Sequence, residues 1–305
     1  MDGDVQVLTA EDEARTGLSG ADLRDARDSG SLVRVRYGAY ADADGWAALD
    51  ADGRYRALVV AASRRMRDAV FSHASAAALW RLPRLGAWPQ GVEVLVGASS
   101  TVRSSRGVVR HRTARPPAVA LRDGVRVTAA ARTVLDLARR DRFAAALVAA
   151  DHALRTGVAT PDELRCESEA AGGEPGVRRA RRVVAEARAE AESPGESLSR
   201  ARMIELGVPR PVLQHELRDG DGLVARVDFW WADLGLVGEF DGRLKYRTDG
   251  VADRRAVEER LWAEKQREDR VRALGRRVVR WTWADALDAN HLATRLTTAG
   301  LRPAR

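Results

Sequence analysis

The chain has 305 residues with 51 Lys and Arg against 44 Asp and Glu, a formal charge of +7; the length favours more than one domain and the basic balance points to a polyanionic partner. Its single cysteine, Cys166, excludes an internal disulfide and a multi-cysteine zinc site, and fits a reducing compartment. No run of 18 apolar residues occurs and Met1 to Ala10 opens on acids without an apolar leader core, so the expectation is a cytoplasmic protein with no membrane partner.

From the N-terminus, Ser19 and Asp22 form an S-x-x-D capping box that starts a helix through Asp28, and Gly30 ends it. Leu32 to Tyr40 then alternates like a strand with a glycine turn, placing Arg34 and Arg36 on one face. With Arg24 and Arg27 on the preceding helix, residues 8–45 read as a winged-helix unit in a domain spanning 1–48, the four arginines being candidate DNA contacts around a helix fit for a major groove. The same residues also fit a solvated charged surface on a small packing module.

The stretch 49–185 reads as an α/β region. Arg54 to Arg67 and Ala129 to Ala153 have apolar residues at helical spacing, and Val92 to Val96 and Gly107 to His111 look like strands. His73 and His111 have no acidic or cysteine companions at metal spacing and read as ordinary polar contacts. Glu167 to Glu192, with Gly172-Gly173-Glu174-Pro175-Gly176 at its centre, reads as a connector into a last domain spanning 186–305.

Leu8 to Tyr40, Ser72-His73-Ala74-Ser75-Ala76-Ala77 and Val127 to Ala138 resemble the antitoxins of abortive-infection type IV toxin-antitoxin systems. The resemblance implies that the winged helix binds DNA. A toxin protein, or a second copy of this chain, would be a further partner.

The last third holds the chemistry. Ala225 to Trp231 and Leu236 to Gly242 are strand-like on either side of a short polar turn, which predicts a hairpin. A turn symmetric about Asp233 and Leu234 sets Asp228 opposite Glu239, and period-two alternation puts Asp241 on the face of Glu239. Like charges so placed repel, and a divalent cation is the natural neutraliser; oxygen-only ligands select magnesium or manganese. A solvated acidic hairpin face is the plainer alternative, against which Trp230, Trp231 and Phe240 argue for burial. Upstream, Ser193-Pro194-Gly195-Glu196 opens a helix to Leu206 with Glu196 in its first turn, able to cap the helix or to face the metal. Downstream, a helix over 252–274 places Glu264 on an apolar stripe beside Lys265. Only Lys245 and Lys265 are lysine among the 51 basic residues, and a lysine, unlike arginine, is a compact cation able to give up its proton.

These residues, from Glu196 through Gln214, Val227-Asp228-Phe229, Glu239-Phe240-Asp241-Gly242 and Glu264-Lys265-Gln266-Arg267 to the strand ending Trp281-Thr282-Trp283, resemble the restriction-endonuclease-like superfamily, specifically the domains related to very short patch repair endonucleases. The resemblance implies a mixed sheet flanked by helices and metal-dependent hydrolysis of DNA phosphodiesters, without a small-molecule cofactor. Asp228 and Glu239 would hold Mg2+ or Mn2+ with Asp241 and Glu196 assisting, and Lys245 or Lys265 would supply a cation. The superfamily's usual lysine two residues after the second acid is Asp241 here, and the repair enzymes' histidines correspond to Asp241 and Lys245. The expectation is therefore an α/β protein acting as a metal-dependent DNA endonuclease. The alternative is a non-catalytic DNA-binding regulator or antitoxin with a degenerate nuclease domain.

Overall fold

The computed structural model describes residues 6–9, 17–220, 222–242, 262, 266 and 269–303. Its elements are β1 (Val7–Thr9), α1 (Gly20–Asp28), β2 (Leu32–Arg36), β3 (Ala39–Asp42), α2 (Ala43–Ala48), α3 (Ala51–Ser63), β4 (Val70–Phe71), α4 (His73–Leu79), β5 (Val92–Gly97), β6 (Val108–Thr113), β7 (Val119–Arg122), β8 (Val125–Thr128), α5 (Ala130–Arg140), α6 (Phe143–Arg155), α7 (Pro161–Ala170), α8 (Val177–Glu186), α9 (Pro194–Leu206), β9 (Val212–Asp219), β10 (Gly222–Trp231), β11 (Leu236–Asp241), β12 (Arg277–Thr282), α10 (Trp283–Leu287) and α11 (Ala289–Thr298). Helices combine with mixed sheets in an α/β fold. Among the described residues no helix is long and apolar enough to cross a membrane. Two compact units form, Met1–Arg142 with Thr156–Ala185, and Phe143–Arg155 with Glu186–Arg305.

In the first unit, a three-stranded antiparallel sheet runs in the order β1-β3-β2, with α1 ahead of the β2–β3 hairpin. Ser19 caps α1 through the reciprocal bonds with Asp22 that the sequence predicts. A five-stranded mixed sheet, β6-β5-β4-β8-β7, follows. Its core gathers Phe71, Val92, Val94 and Val127 under α4, whose seven residues are all buried; their small side chains let the helix backbone come close to its neighbours. The stretches expected as separate domains at 1–48 and 49–185 share this unit, apart from residues 143–155. Helix α3 explains why: Ala57 and Ala61 pack with Val7 and Ala39 of the small sheet, while Tyr55 and Val59 pack with Phe71 and Val92.

The helical spacing over 129–153 resolves into two helices, parted at Asp141, whose backbone is extended (φ −77°, ψ 168°); α5 belongs to the first unit and α6 to the second. The stretch expected as a connector is packed structure: α7 ends at Ala170, and α8 buries Val177, Ala180 and Val183 at three-residue spacing.

The second unit is a four-stranded sheet in the order β12-β11-β10-β9, with β11 and β12 parallel and the other pairs antiparallel. Helix α6 packs on α9. Asp151 of α6 accepts from Arg200 Nη2 of α9 through both oxygens at 2.7 Å, and both side chains are buried. Trp281 of β12 donates its indole N–H to Ser199 Oγ (2.7 Å), tying the sheet to α9.

Candidate active site

β10 and β11 are joined by a 3-10 turn, Ala232–Leu234, closed by Gly235 in the left-handed region (φ 52°, ψ 36°), where a Cβ would be strained. Phe229 pairs with Gly238, Trp230 with Val237 and Trp231 with Leu236, the register that symmetry about Asp233 and Leu234 predicts. Continued by one residue, it sets Asp228 beside Glu239. On the other edge of β10, Val227 pairs with His215 and Phe229 with Leu213, so Asp228 lies opposite Gln214. Glu239 in turn pairs with Arg280 of β12. Gln214, Asp228, Glu239 and Arg280 therefore form one row across the four strands, and neighbours in such a row share a face.

Glu196 joins this row from the first turn of α9. It is buried; its Oε1 accepts from Ser193 Oγ (2.7 Å), and its Oε2 accepts from Glu192 N (2.9 Å) and Gln214 Nε2 (2.9 Å). Capping and facing the site are thus combined in one side chain. Gln214, at φ 49°, is a non-glycine residue in the left-handed region, a conformation of order 1–3 kcal/mol in strain that persists only where surroundings enforce it. Its amide contacts both Glu196 and Asp228.

Asp228 Oδ2 accepts from Phe240 N at 2.8 Å. Burial, and then the charges of Glu196 and Glu239, push its carboxyl up to about 7, against the opposing bonds from Phe240 N–H and Gln214. Glu239 is held by Arg280 Nε at 2.8 Å and its side chain is 14% exposed. Asp241, two residues along β11, lies against Thr282 in the register.

Among the described residues no three His, Cys, Asp or Glu side chains are grouped to hold a metal ion. The four-carboxylate set expected from Asp228, Glu239, Asp241 and Glu196 is thus not assembled as one unit: Arg280 engages Glu239, and Ser193, Glu192 and Gln214 engage Glu196. Lys245, Glu264 and Lys265 lie outside the described residues.

Of the four arginines expected to meet DNA, Arg24, Arg27 and Arg34 line one cavity of about 410 Å³ with Arg65 and Tyr37. Arg34 and Arg65 stack over the Tyr37 ring at 5.9 and 5.4 Å, and Arg27 bonds Asp28 at 2.9 Å. Arg36 is not in that lining. A bulge in the β2–β3 pairing falls between Arg34 and Arg36 and breaks the alternation that would put both on one face; Arg36 is half-buried and its Nη1 has no hydrogen-bond partner.

Sequence reasoning missed Arg280 and Arg65, which reach these places only through sheet pairing and helix packing. His73 and His111, read as ordinary polar contacts, lie together, which their separation in the sequence does not indicate. Their rings stack with centroids 3.8 Å apart, and His111 Nε2 lies 3.0 Å from Glu93 Oε1; Glu93 and His111 sit side by side only because β5 and β6 are neighbours in the sheet.

No family model matches this chain. Two curated proteins of Mycobacterium tuberculosis, the uncharacterized proteins Rv2248 and MT2308, are each 36% identical to it over 114 residues, 37% of this chain and 42% of theirs. The match therefore spans less than half the length of these relatives. Among solved structures, the RV2827C protein of M. tuberculosis superposes with a TM-score of 0.36 at 17% identity, over 63% of this chain and 74% of that one.

Proposed function

We propose that this protein is a magnesium- or manganese-dependent DNA endonuclease of the cytoplasm, whose second unit cleaves and whose β1-β3-β2 module holds DNA as a winged helix. One observation carries the reading. In the row beneath Glu196, burial and two neighbouring carboxylates push Asp228 up to about 7, a frustration that a cation would relieve.

The donors suit a hard ion, since all are oxygens, and magnesium is commonly held by one or two carboxylates with water and phosphate completing its shell. Asp228 and Glu239 would be those two. Magnesium, when bound, supplies a Lewis acid that activates water and neutralises charge on a phosphodiester. Phe240 N–H and Gln214 fix the Asp228 carboxylate, Gln214 ties it to Glu196, and Arg280 orients Glu239. The order β1-β3-β2 with a helix ahead of the hairpin, and three arginines around one cavity, support the DNA-binding part.

A second reading has one observation in its favour. The Arg280–Glu239 ion pair already neutralises one proposed ligand, as a non-catalytic DNA-binding regulator would allow. Supercoiled DNA incubated with purified protein separates the two. The nuclease nicks or linearises it in magnesium or manganese, stops with a chelator, and loses activity in Asp228→Asn and Glu239→Gln. Uncut DNA, bound by the wild type, would instead identify the regulator.

A further inference from the structure

The first unit contains a polar cavity of about 420 Å³ that the nuclease reading does not use, within the roughly 300–1,000 Å³ typical of small-ligand sites. Six arginines line it, Arg110, Arg112, Arg132, Arg139, Arg140 and Arg179, against two carboxylates, Asp136 and Glu174. Several of these cations are spent on neutral acceptors. Arg110 donates to Arg103 O (2.9 Å) and Ser105 Oγ (3.2 Å), Arg112 to Ser100 O (3.2 Å), and Arg179 to the Arg139 carbonyl. Of the six, Arg139 and Arg132 are paired with the cavity's carboxylates, and Arg115 from outside the lining also reaches Glu174 at 3.9 Å.

Arg132 carries the inference. Its side chain is 1% exposed; Nε donates to Asp136 Oδ1 at 2.9 Å, while Nη1 is buried with no partner. Asp136 Oδ2 is likewise buried and unpartnered. Leaving a buried guanidinium N–H and a carboxylate oxygen both unsatisfied is costly, since each has lost its water without gaining a partner. A hydrogen phosphate group has what both lack: anionic oxygens for Arg132 Nη1–H, and on its protonated oxygen a donor for Asp136 Oδ2.

Other lining residues are held by hydrogen bonds and stacking. Arg140 donates to His111 Nδ1 (2.8 Å), so the ring proton sits on Nε2 and is given to Glu93 Oε1 (3.0 Å), whose other oxygen accepts from Ala74 N (2.8 Å). His73, stacked on His111, is kept neutral by burial and by that neighbour, its pKa pushed down to about 3. His73 is held at φ 49°, a left-handed backbone that a non-glycine residue adopts only when its surroundings enforce it.

We propose that this cavity binds a terminal phosphate monoester, carried either by a small nucleotide or by the 5′ end of an oligonucleotide. Calorimetry on the full chain tests it, using the Asp228→Asn variant with chelator so that the carboxylate site contributes nothing. The probes are adenosine 5′-monophosphate, adenosine, and a short single-stranded oligonucleotide with and without its 5′-phosphate. The expected result is that the phosphate improves binding of at least one carrier by about tenfold or more over its unphosphorylated form, and the carrier that gains identifies the source. Arg112→Gln and Arg140→Gln, exposed positions whose folding is checked by thermal melting, should each remove most of that gain; Arg132→Gln should abolish it. Equal binding with and without phosphate, or a gain indifferent to both exposed-site variants, would overturn the proposal.

Discussion

Asp228 is the residue on which the site turns, and its titration has a readable consequence. In the unfolded chain its carboxyl ionises near 3.8, in the fold near 7, so over that interval the folded state keeps a proton the unfolded state has lost. Its contribution therefore weakens stability progressively as pH rises from about 4 to about 7, with a full penalty above 7 of at most about 4 kcal/mol. Glu196 and Glu239 face it as charges, Gln214 and Phe240 N–H as hydrogen-bond donors. Asp228→Asn should match the wild type in urea unfolding near pH 4 and become the more stable of the two above pH 7, without metal; a difference that does not change with pH would contradict this account. The sequence named Asp228 and Glu239 as neighbours because hairpin register is local. It did not reveal that Gln214 bridges two acids or that Arg280 neutralises one, because the first joins the β9–β10 pair to the start of α9 and the second needs β12, a strand far along the chain.

Among the elements, α9 and β11 are brought together at a glycine. A Cβ on Gly195 would stand 2.0 Å from Phe240 Cε1, and that ring is set edge-on against Trp283 with centroids 5.3 Å apart. Gly195→Ala would push Phe240 aside, and with it the Phe240 N–H that holds Asp228. The expected outcome is a loss of about 1–3 kcal/mol in thermal or chemical unfolding, the usual size of overpacking effects, with DNA cleavage reduced more than the stability loss alone explains. Retained stability and activity would mean that the ring is free to move. The start of α9 was legible from Ser193-Pro194-Gly195-Glu196, since caps depend on three or four adjacent residues. The parallel pairing of β11 with β12 was not, because 35 residues separate the strands and no turn chemistry sets the register.

For the whole molecule, the two compact units are not consecutive in sequence. Helix α6 belongs with residues 186–305 although α7 and most of α8 lie between them in the chain. Asp151 on α6 is fully buried and pairs with Arg200 on α9; removing one partner of such a pair leaves an uncompensated charge, a loss of about 3–5 kcal/mol. Asp151→Ala should therefore strongly lower the unfolding midpoint. A fragment of residues 186–305, which lacks α6, should show no cooperative melt, whereas one that melts cooperatively would show α6 to be dispensable. By itself the sequence determined the α/β class, the capped starts of α1 and α9, and the β10–β11 register, all set by period, caps and turns within a few residues. Only the tertiary structure decided that α5 and α6 part company, that Arg34 and Arg36 are separated by a bulge, and that His73 and His111 meet beside Glu93. Those depend on which distant surfaces pack together, and burial free energy summed over the core, rather than any local preference, selects that.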